Sequence, residues 1–231
     1  MKTTKNTVLV TGGSAGIGLE IARLLASLDN TVIITGRNEE RLARAAALSP
    51  NIVPFRADVT NTADVEALRT EIEQKYPEFN ILVNNAGYAE VYELNGTGPA
   101  WERAGREMDT NYLSVIRMTD ALLPLLLGKP EAAIVNVTSV VAFFPAKILP
   151  TYSAIKAALH VYTDLLRQGL DGRVEVYELI PPLVNTEFSK AIGGEKGIPA
   201  SEVAEELLQA FKERRWSIPV GPAKEWLARP V

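Results

Sequence analysis

Tyr152 and Lys156 stand four residues apart in Tyr152-Ser153-Ala154-Ile155-Lys156. That spacing puts two side chains on one face of a helix. A free phenol titrates near pH 10 and is a poor acid–base group at neutral pH. A fixed ammonium beside it favours the phenolate, and a shift of about two to three units, near 1.4 kcal/mol each, would make it useful. Taken alone, the same spacing also fits a packed tyrosine and an exposed lysine. The pair has company, however. Ser139 lies thirteen residues upstream, Asn84-Asn85-Ala86-Gly87 further back, Asp58-Val59 earlier still, and Asn111 between them.

A second chemical feature opens the chain: Thr11-Gly12-Gly13-Ser14-Ala15-Gly16-Ile17-Gly18. Such glycines let backbone approach a ligand, and the helix that follows offers free N–H groups and a positive dipole to a phosphate. A nucleotide diphosphate is the natural guest of this strand–turn–helix, and no Gly-Lys-Ser/Thr makes it a P-loop. The segment also spells G-x-S-x-G, the nucleophile elbow of serine hydrolases, with Ser14 as nucleophile. Against that rival, only one strand precedes Ser14, and His160 falls inside a predicted helix.

The next strand, Val32-Ile33-Ile34-Thr35, ends in Gly36-Arg37. A dinucleotide site reads its ribose at this place: a carboxylate suits the 2′-hydroxyl of NAD, a cation the 2′-phosphate of NADP. Arg37 favours NADP(H), with NAD(H) as second candidate. The competing reading pairs Arg37 with Glu39 or Glu40 at the surface.

These residues need elements to hold them. Strands are predicted over 7–11, 31–35, 52–57, 80–83, 132–138, 173–179 and 216–220. Helices are predicted over 16–28, from an Asn38 cap to 48, from a Thr60 or Thr62 cap to about 76, over 101–127 as one or two helices, and over 151–170 and 199–214. The alternation implies an α/β fold, one doubly wound parallel sheet of about seven strands with helices on both faces. One domain over 1–231 is expected, with ligands at the C-terminal strand ends. Composition narrows the chemistry. No cysteine excludes disulfides, thiol catalysis and Cys-ligated metals, and a single histidine argues against a metal site. Net charge is -4, so neither nucleic acid nor an anionic membrane is an expected partner. The longest apolar stretch, Ala121 to Leu127 around Pro124, is too short to span a membrane, and the N-terminus reads as no secretory signal. A cytoplasmic protein is the expectation.

The joint pattern of TGGSAGIG, NNAG, an Asn, a Ser, YxxxK and a Pro-rich turn resembles the short-chain dehydrogenase/reductase family from Thr11 to about Thr186. The resemblance implies a seven-stranded Rossmann domain and NAD(P)(H)-dependent oxidoreduction of alcohols and carbonyls. It implies a catalytic set of Asn111, Ser139, Tyr152 and Lys156. Ser139 and Tyr152 would hold the substrate oxygen. Tyr152 would exchange its proton. Lys156 would bind the nicotinamide ribose and lower the Tyr152 pKa, and Asn111 would anchor a relay water. The implied cofactor contacts are Gly12, Ser14, Ala15, Gly16, Ile17, Gly18, Arg37, Asp58, Val59, Asn85, Ala86, Gly87, Tyr152, Lys156, Pro182, Val184 and Thr186, with no metal. Asp58 would meet the adenine amino group, Asn85 the adenosine-side ribose, and Val184 and Thr186 the carboxamide.

Two departures stand out. Pro182 replaces the usual glycine of the turn after strand six, fixing φ and removing an N–H. Ala15 stands where many NADP-preferring members carry a basic residue. The combination Pro181-Pro182-Leu183-Val184 with Ile218-Pro219-Val220-Gly221 is similar to a DltE-type subgroup. The Gly-rich stretch within 185–198 implies a small or mobile substrate lid, with an open site as a further option. Val140, Val141, Phe143, Phe144, Ile148 and Leu149 could line an apolar substrate pocket or pack on their own core. A homodimer or homotetramer through Asn111–Leu127 and Tyr152–Leu170 is expected from the same analogy. The chief functional alternative is a non-catalytic NADP(H)-binding redox sensor. His160 is expected to pack without chemical work.

Overall fold

Short runs of Val and Ile without polar alternation form strands covered on both faces. In the computed structural model, which describes residues 1–96 and 98–228, β1 (Thr7–Thr11) and β5 (Ala133–Val137) are buried at every position. With β2 (Thr31–Gly36), β3 (Ile52–Arg56), β4 (Phe79–Asn84), β6 (Glu175–Ile180) and β9 (Ser217–Pro219) they make a parallel seven-stranded sheet, ordered β3-β2-β1-β4-β5-β6-β9. The order reverses between β1 and β4, whose register pairs Val10 with Val83. That reversal opens a crevice beyond the C-terminal ends of β1 and β4.

Helices α1 (Gly16–Ala26) and α7 (Ala200–Glu213) bury Ile21, Leu25, Val203 and Leu207 on one face. On the other, α3 (Thr62–Lys75) and α5 (Ser114–Leu127) bury Leu68, Ile72, Met118 and Leu122. Asn38 caps α2 (Glu39–Ala46) as expected, accepting from Arg41 N. The cap of α3 is Asn61, not Thr60 or Thr62: its Oδ1 accepts from the Ala63 and Asp64 amides, while the Thr60 hydroxyl is drawn to Asp58 at 2.8 Å. The 101–127 stretch is two helices, α4 (Ala100–Met108) and α5, joined by a π turn over Asp109–Leu113. Helix α6 (Pro150–Leu170) starts on its proline, and a short α8 (Ala223–Ala228), not foreseen, follows β9.

The lid is short. A two-strand parallel pair, β7 (Val184–Asn185) with β8 (Ile198–Pro199), cinches its base. Between them lie two tight 3₁₀ turns, Glu187–Ile192 and Gly194–Lys196. Buried Ser189 donates to the Val184 carbonyl, and a Cβ at Gly194 would lie 2.3 Å from its hydroxyl. The segment is therefore a packed loop in contact with the cleft. Among the described residues no helix is long and apolar enough to cross a membrane.

Candidate active site

The glycine turn is shaped by what surrounds it. Gly12 and Gly16 have φ of +65° and +54°, which side chains disfavour. A Cβ at Gly18 would sit 2.4 Å from Asn85 Nδ2 and 2.6 Å from the Gly12 carbonyl oxygen. The Asn85 amide donates to the Thr11 carbonyl at 2.9 Å, and the Thr11 hydroxyl accepts from the Asn85 and Ala86 N–H groups. The ends of β1 and β4 are thus braced together, and the Asn85 N–H is spent on that brace. Ala15 caps α1 without any side-chain hydrogen bond, and no acidic residue enters its first turn. The helix start therefore keeps its positive end for an anion.

At the end of β2, Arg37 is exposed and makes no ion pair among the described residues. Glu39 faces Arg56 at 3.7 Å instead. Asp58 follows β3. Its partial burial raises its pKa, but two Thr60 hydrogen bonds and the charges of Arg37 and Arg56 outweigh that and hold it below the usual range. Only its Oδ1 is engaged by Thr60. A backbone cradle, an uncapped helix start, an unpaired arginine and a half-used carboxylate suit a dinucleotide's diphosphate, ribose phosphate and adenine.

The other end of the crevice is built from side chains. Tyr152 and Lys156 are 8% and 4% exposed, with Lys156 Nζ 5.5 Å from the phenol ring centroid. Lys156 Nζ donates to the Val137 carbonyl at 2.8 Å, anchoring α6 to the strand end that Ser139 follows. Ser139 caps a 3₁₀ turn, its Oγ accepting from Val141 N at 3.3 Å. Asn111 is buried in the π turn. Its side chain accepts from Tyr88 N and donates to the carbonyls of Tyr88 and Glu107, so it holds the segment after Gly87 in place. The Phe188 ring reaches across from the lid, 6.0 Å from the Tyr152 ring and 3.9 Å from where a Gly87 Cβ would lie. Thr186 approaches the Gly16 position at 3.3 Å. Arg41 on α2 grips both carboxylate oxygens of Glu187 at 2.9–3.0 Å, tying the lid across the cleft. Val184 and Pro182 are buried beneath it.

Burial, and then the Glu107 charge, push the Tyr152 phenol above its ordinary range. Burial pushes Lys156 down to about 7. In the protein alone, withdrawal from water therefore favours the neutral form of both groups.

Other expected residues divide. Val140 and Leu149 are buried, and Phe143 packs edge-on against His160 at 4.6 Å. Phe144 and Ile148 are open. His160 does more than pack: Nδ1 lies 2.9–3.0 Å from the buried Glu178 carboxylate, which also accepts from Thr138. Helix α6 thus ties His160 to Glu178 on β6, a strand three places or about 14 Å along the sheet from the β1 end that Ser14 follows. Ser14 and His160 form no hydrolytic couple. Among the described residues no group of three His, Cys, Asp or Glu could hold a metal. Glu107, Phe188 and the Arg41–Glu187 tie were not singled out from the sequence.

A family model described as short chain dehydrogenase matches residues 6–197. The chain is 41% identical over 224 residues to the uncharacterized oxidoreductase DltE of Bacillus subtilis (strain 168), covering 94% of this chain and 89% of the relative. A short-chain dehydrogenase from Burkholderia cenocepacia J2315, solved with NADP, superposes with a TM-score of 0.88 at 26% identity, covering 98% and 93% of the two chains. One from Burkholderia phymatum, solved with NAD, shares the fold with a TM-score of 0.90 at 24% identity, covering 98% and 92%. The chain belongs to the short-chain dehydrogenase family. It is an NAD(P)-dependent short-chain oxidoreductase.

Proposed function

We propose that the protein prefers NADP(H) and moves a hydride between the nicotinamide and a carbonyl or secondary-alcohol carbon, with Tyr152 as the acid–base group. One observation carries this reading: Tyr152 and Lys156 are buried on one face of α6, and Lys156 is pinned to the strand end that delivers Ser139. The bound cofactor supplies the hydride donor or acceptor and, when oxidised, a positive ring. Gly12, Ser14, Ala15, Gly16, Ile17 and Gly18 would cradle its diphosphate. Arg37 would take the 2′-phosphate, Asp58 and Val59 the adenine, and Asn85, Ala86 and Gly87 the middle of the cleft. Pro182, Val184 and Thr186 would meet the carboxamide.

Ser139 and Tyr152 hold the substrate oxygen in this reading, and Tyr152 gives or takes its proton. Lys156 binds ribose hydroxyls, and once charged it stabilises the phenolate. Asn111 serves the proton relay through its backbone in the π turn, since its side chain is committed to Tyr88 and Glu107. Phe144, Ile148 and Phe188 would meet a partly apolar substrate. The exposed Leu113, Val161 and Leu165 and the Tyr112–Tyr162 ring pair support subunit pairing along α5 and α6.

The test follows reduced-cofactor absorbance across a panel of carbonyls and alcohols with both cofactors. Tyr152→Phe is expected to lower turnover by about a thousandfold while cofactor affinity stays within about threefold. Undiminished turnover in that variant would refute the role of Tyr152. Tight cofactor binding by the parent with no turnover on any substrate would favour the redox-sensor reading.

A further inference from the structure

Glu107 is completely buried in the last turn of α4, and nothing in the reaction as described uses it. A buried carboxylate is costly unless it is well partnered. Its Oε1 accepts from the Glu90 backbone N–H at 2.9 Å. Its Oε2 accepts from the Thr151 hydroxyl at 2.6 Å, whose oxygen also lies 2.6 Å from the Tyr92 hydroxyl. Its backbone carbonyl accepts from Asn111 Nδ2 at 2.8 Å. One residue therefore touches the segment after β4, the residue preceding Tyr152, and Asn111. Both carboxylate oxygens receive hydrogens, so the network satisfies the ionised form.

Among the described residues no cation neutralises it directly. Arg103 and Arg106 turn outward to Glu90, which also takes the Tyr88 hydroxyl, and Arg103 lies over the Tyr92 ring. Asp109 on the π turn pairs with Arg117. Lys156 is engaged at Val137, and His160, one turn further along α6, at Glu178. From the lid, the apolar Phe188 faces Tyr152.

We propose that Glu107 is a positioning residue for proton transfer: its carboxylate pins the first turn of α6 against α4 and the post-β4 segment, and sets a buried negative charge on Thr151, the residue before Tyr152. This rests on the reading of Tyr152 as the acid–base group. The direction in which Glu107 moves the phenol agrees with it.

The test separates charge from pinning. Trifluorotyrosine, more acidic than tyrosine, is placed at position 152 and its 19F shift is followed against pH with the oxidised cofactor bound. Glu107→Gln keeps the shape, one acceptor for Glu90 and one donor for Thr151. Its titration midpoint is expected about one unit below the parent's, and the basic limb of the kcat/KM profile should fall with it. Thr151→Val cuts the pin and keeps the charge. Its midpoint should stay put while kcat drops about tenfold at near-constant KM. An unshifted midpoint in Glu107→Gln, or an unaltered kcat in Thr151→Val, overturns the proposal. Retained turnover in Tyr152→Phe would instead overturn the reading beneath it.

Discussion

Around the glycine turn, positive φ at Gly12 and Gly16, an uncapped α1 and the Asn85 brace do the shaping, and the work falls to backbone. Around Tyr152 the shaping falls to buried polar and ionisable side chains: Lys156 on Val137, Glu107 on Thr151, Asn111 on Tyr88. Among the described residues, the first region is set by local geometry and buries no ionisable side chain. The second is set by charges withdrawn from water, so its behaviour depends on pH and on what binds beside it.

The sharpest attempt to break this contrast is Lys156→Met. Turnover should fall by at least about a hundredfold. Stability should move the other way. Lys156 titrates at about 7 in the folded protein and at its ordinary 10.5 when unfolded. The unfolded chain therefore binds the extra proton between those values, and stability rises with pH through that window. The cost is fully present below pH 7 and gone above 10.5. Tyr152, shifted upward, adds an opposite trend only above its ordinary value of 10. From pH 7 to 9 the parent should gain about 2 kcal/mol more than Lys156→Met by urea unfolding. Equal gains would remove the buried-charge account.

Gly18→Ala probes the other region. Its Cβ would strike Asn85 and the Gly12 carbonyl, so a loss of about 1–3 kcal/mol is expected by thermal unfolding, independent of pH. A pH-dependent loss would blur the two regions. The smallest effect sharpens the cofactor assignment. Arg37→Ala should weaken NADP about tenfold in titration calorimetry and NAD by less than about twofold. Equal losses would remove the 2′-phosphate role.

The same contrast explains what could be read from the chain. The glycine turn, the strand alternation and the order of Ser139, Tyr152 and Lys156 are legible because each is a local pattern, and the sheet carries them to one rim. Glu107 was not legible. It shares α4 with Glu102, Arg103 and Arg106, a run that reads as a solvated face, and only the packing of α4 on α6 shows which acid turns inward. Its one local signal was the four-residue spacing to Asn111. Burial was not legible either: spacing places Lys156 near the phenol but says nothing of how deeply both are withdrawn from water. The lid looked loose from its glycines, yet Gly194 is there to admit Ser189, and a distant residue, Arg41, fastens it.

The π turn at Asp109–Leu113 carries one more residue than an α-helix would need to join α4 to α5. Loss of a single codon there would heal the helix and leave hydropathy, charge and length almost untouched. It would also swing α4 by about 100° about its axis. Glu107 would leave Thr151 and Asn111 would leave Tyr88 together. Insertions and deletions in this five-residue stretch should therefore be far scarcer among functional descendants of this chain than in the loops before α4 and after α5.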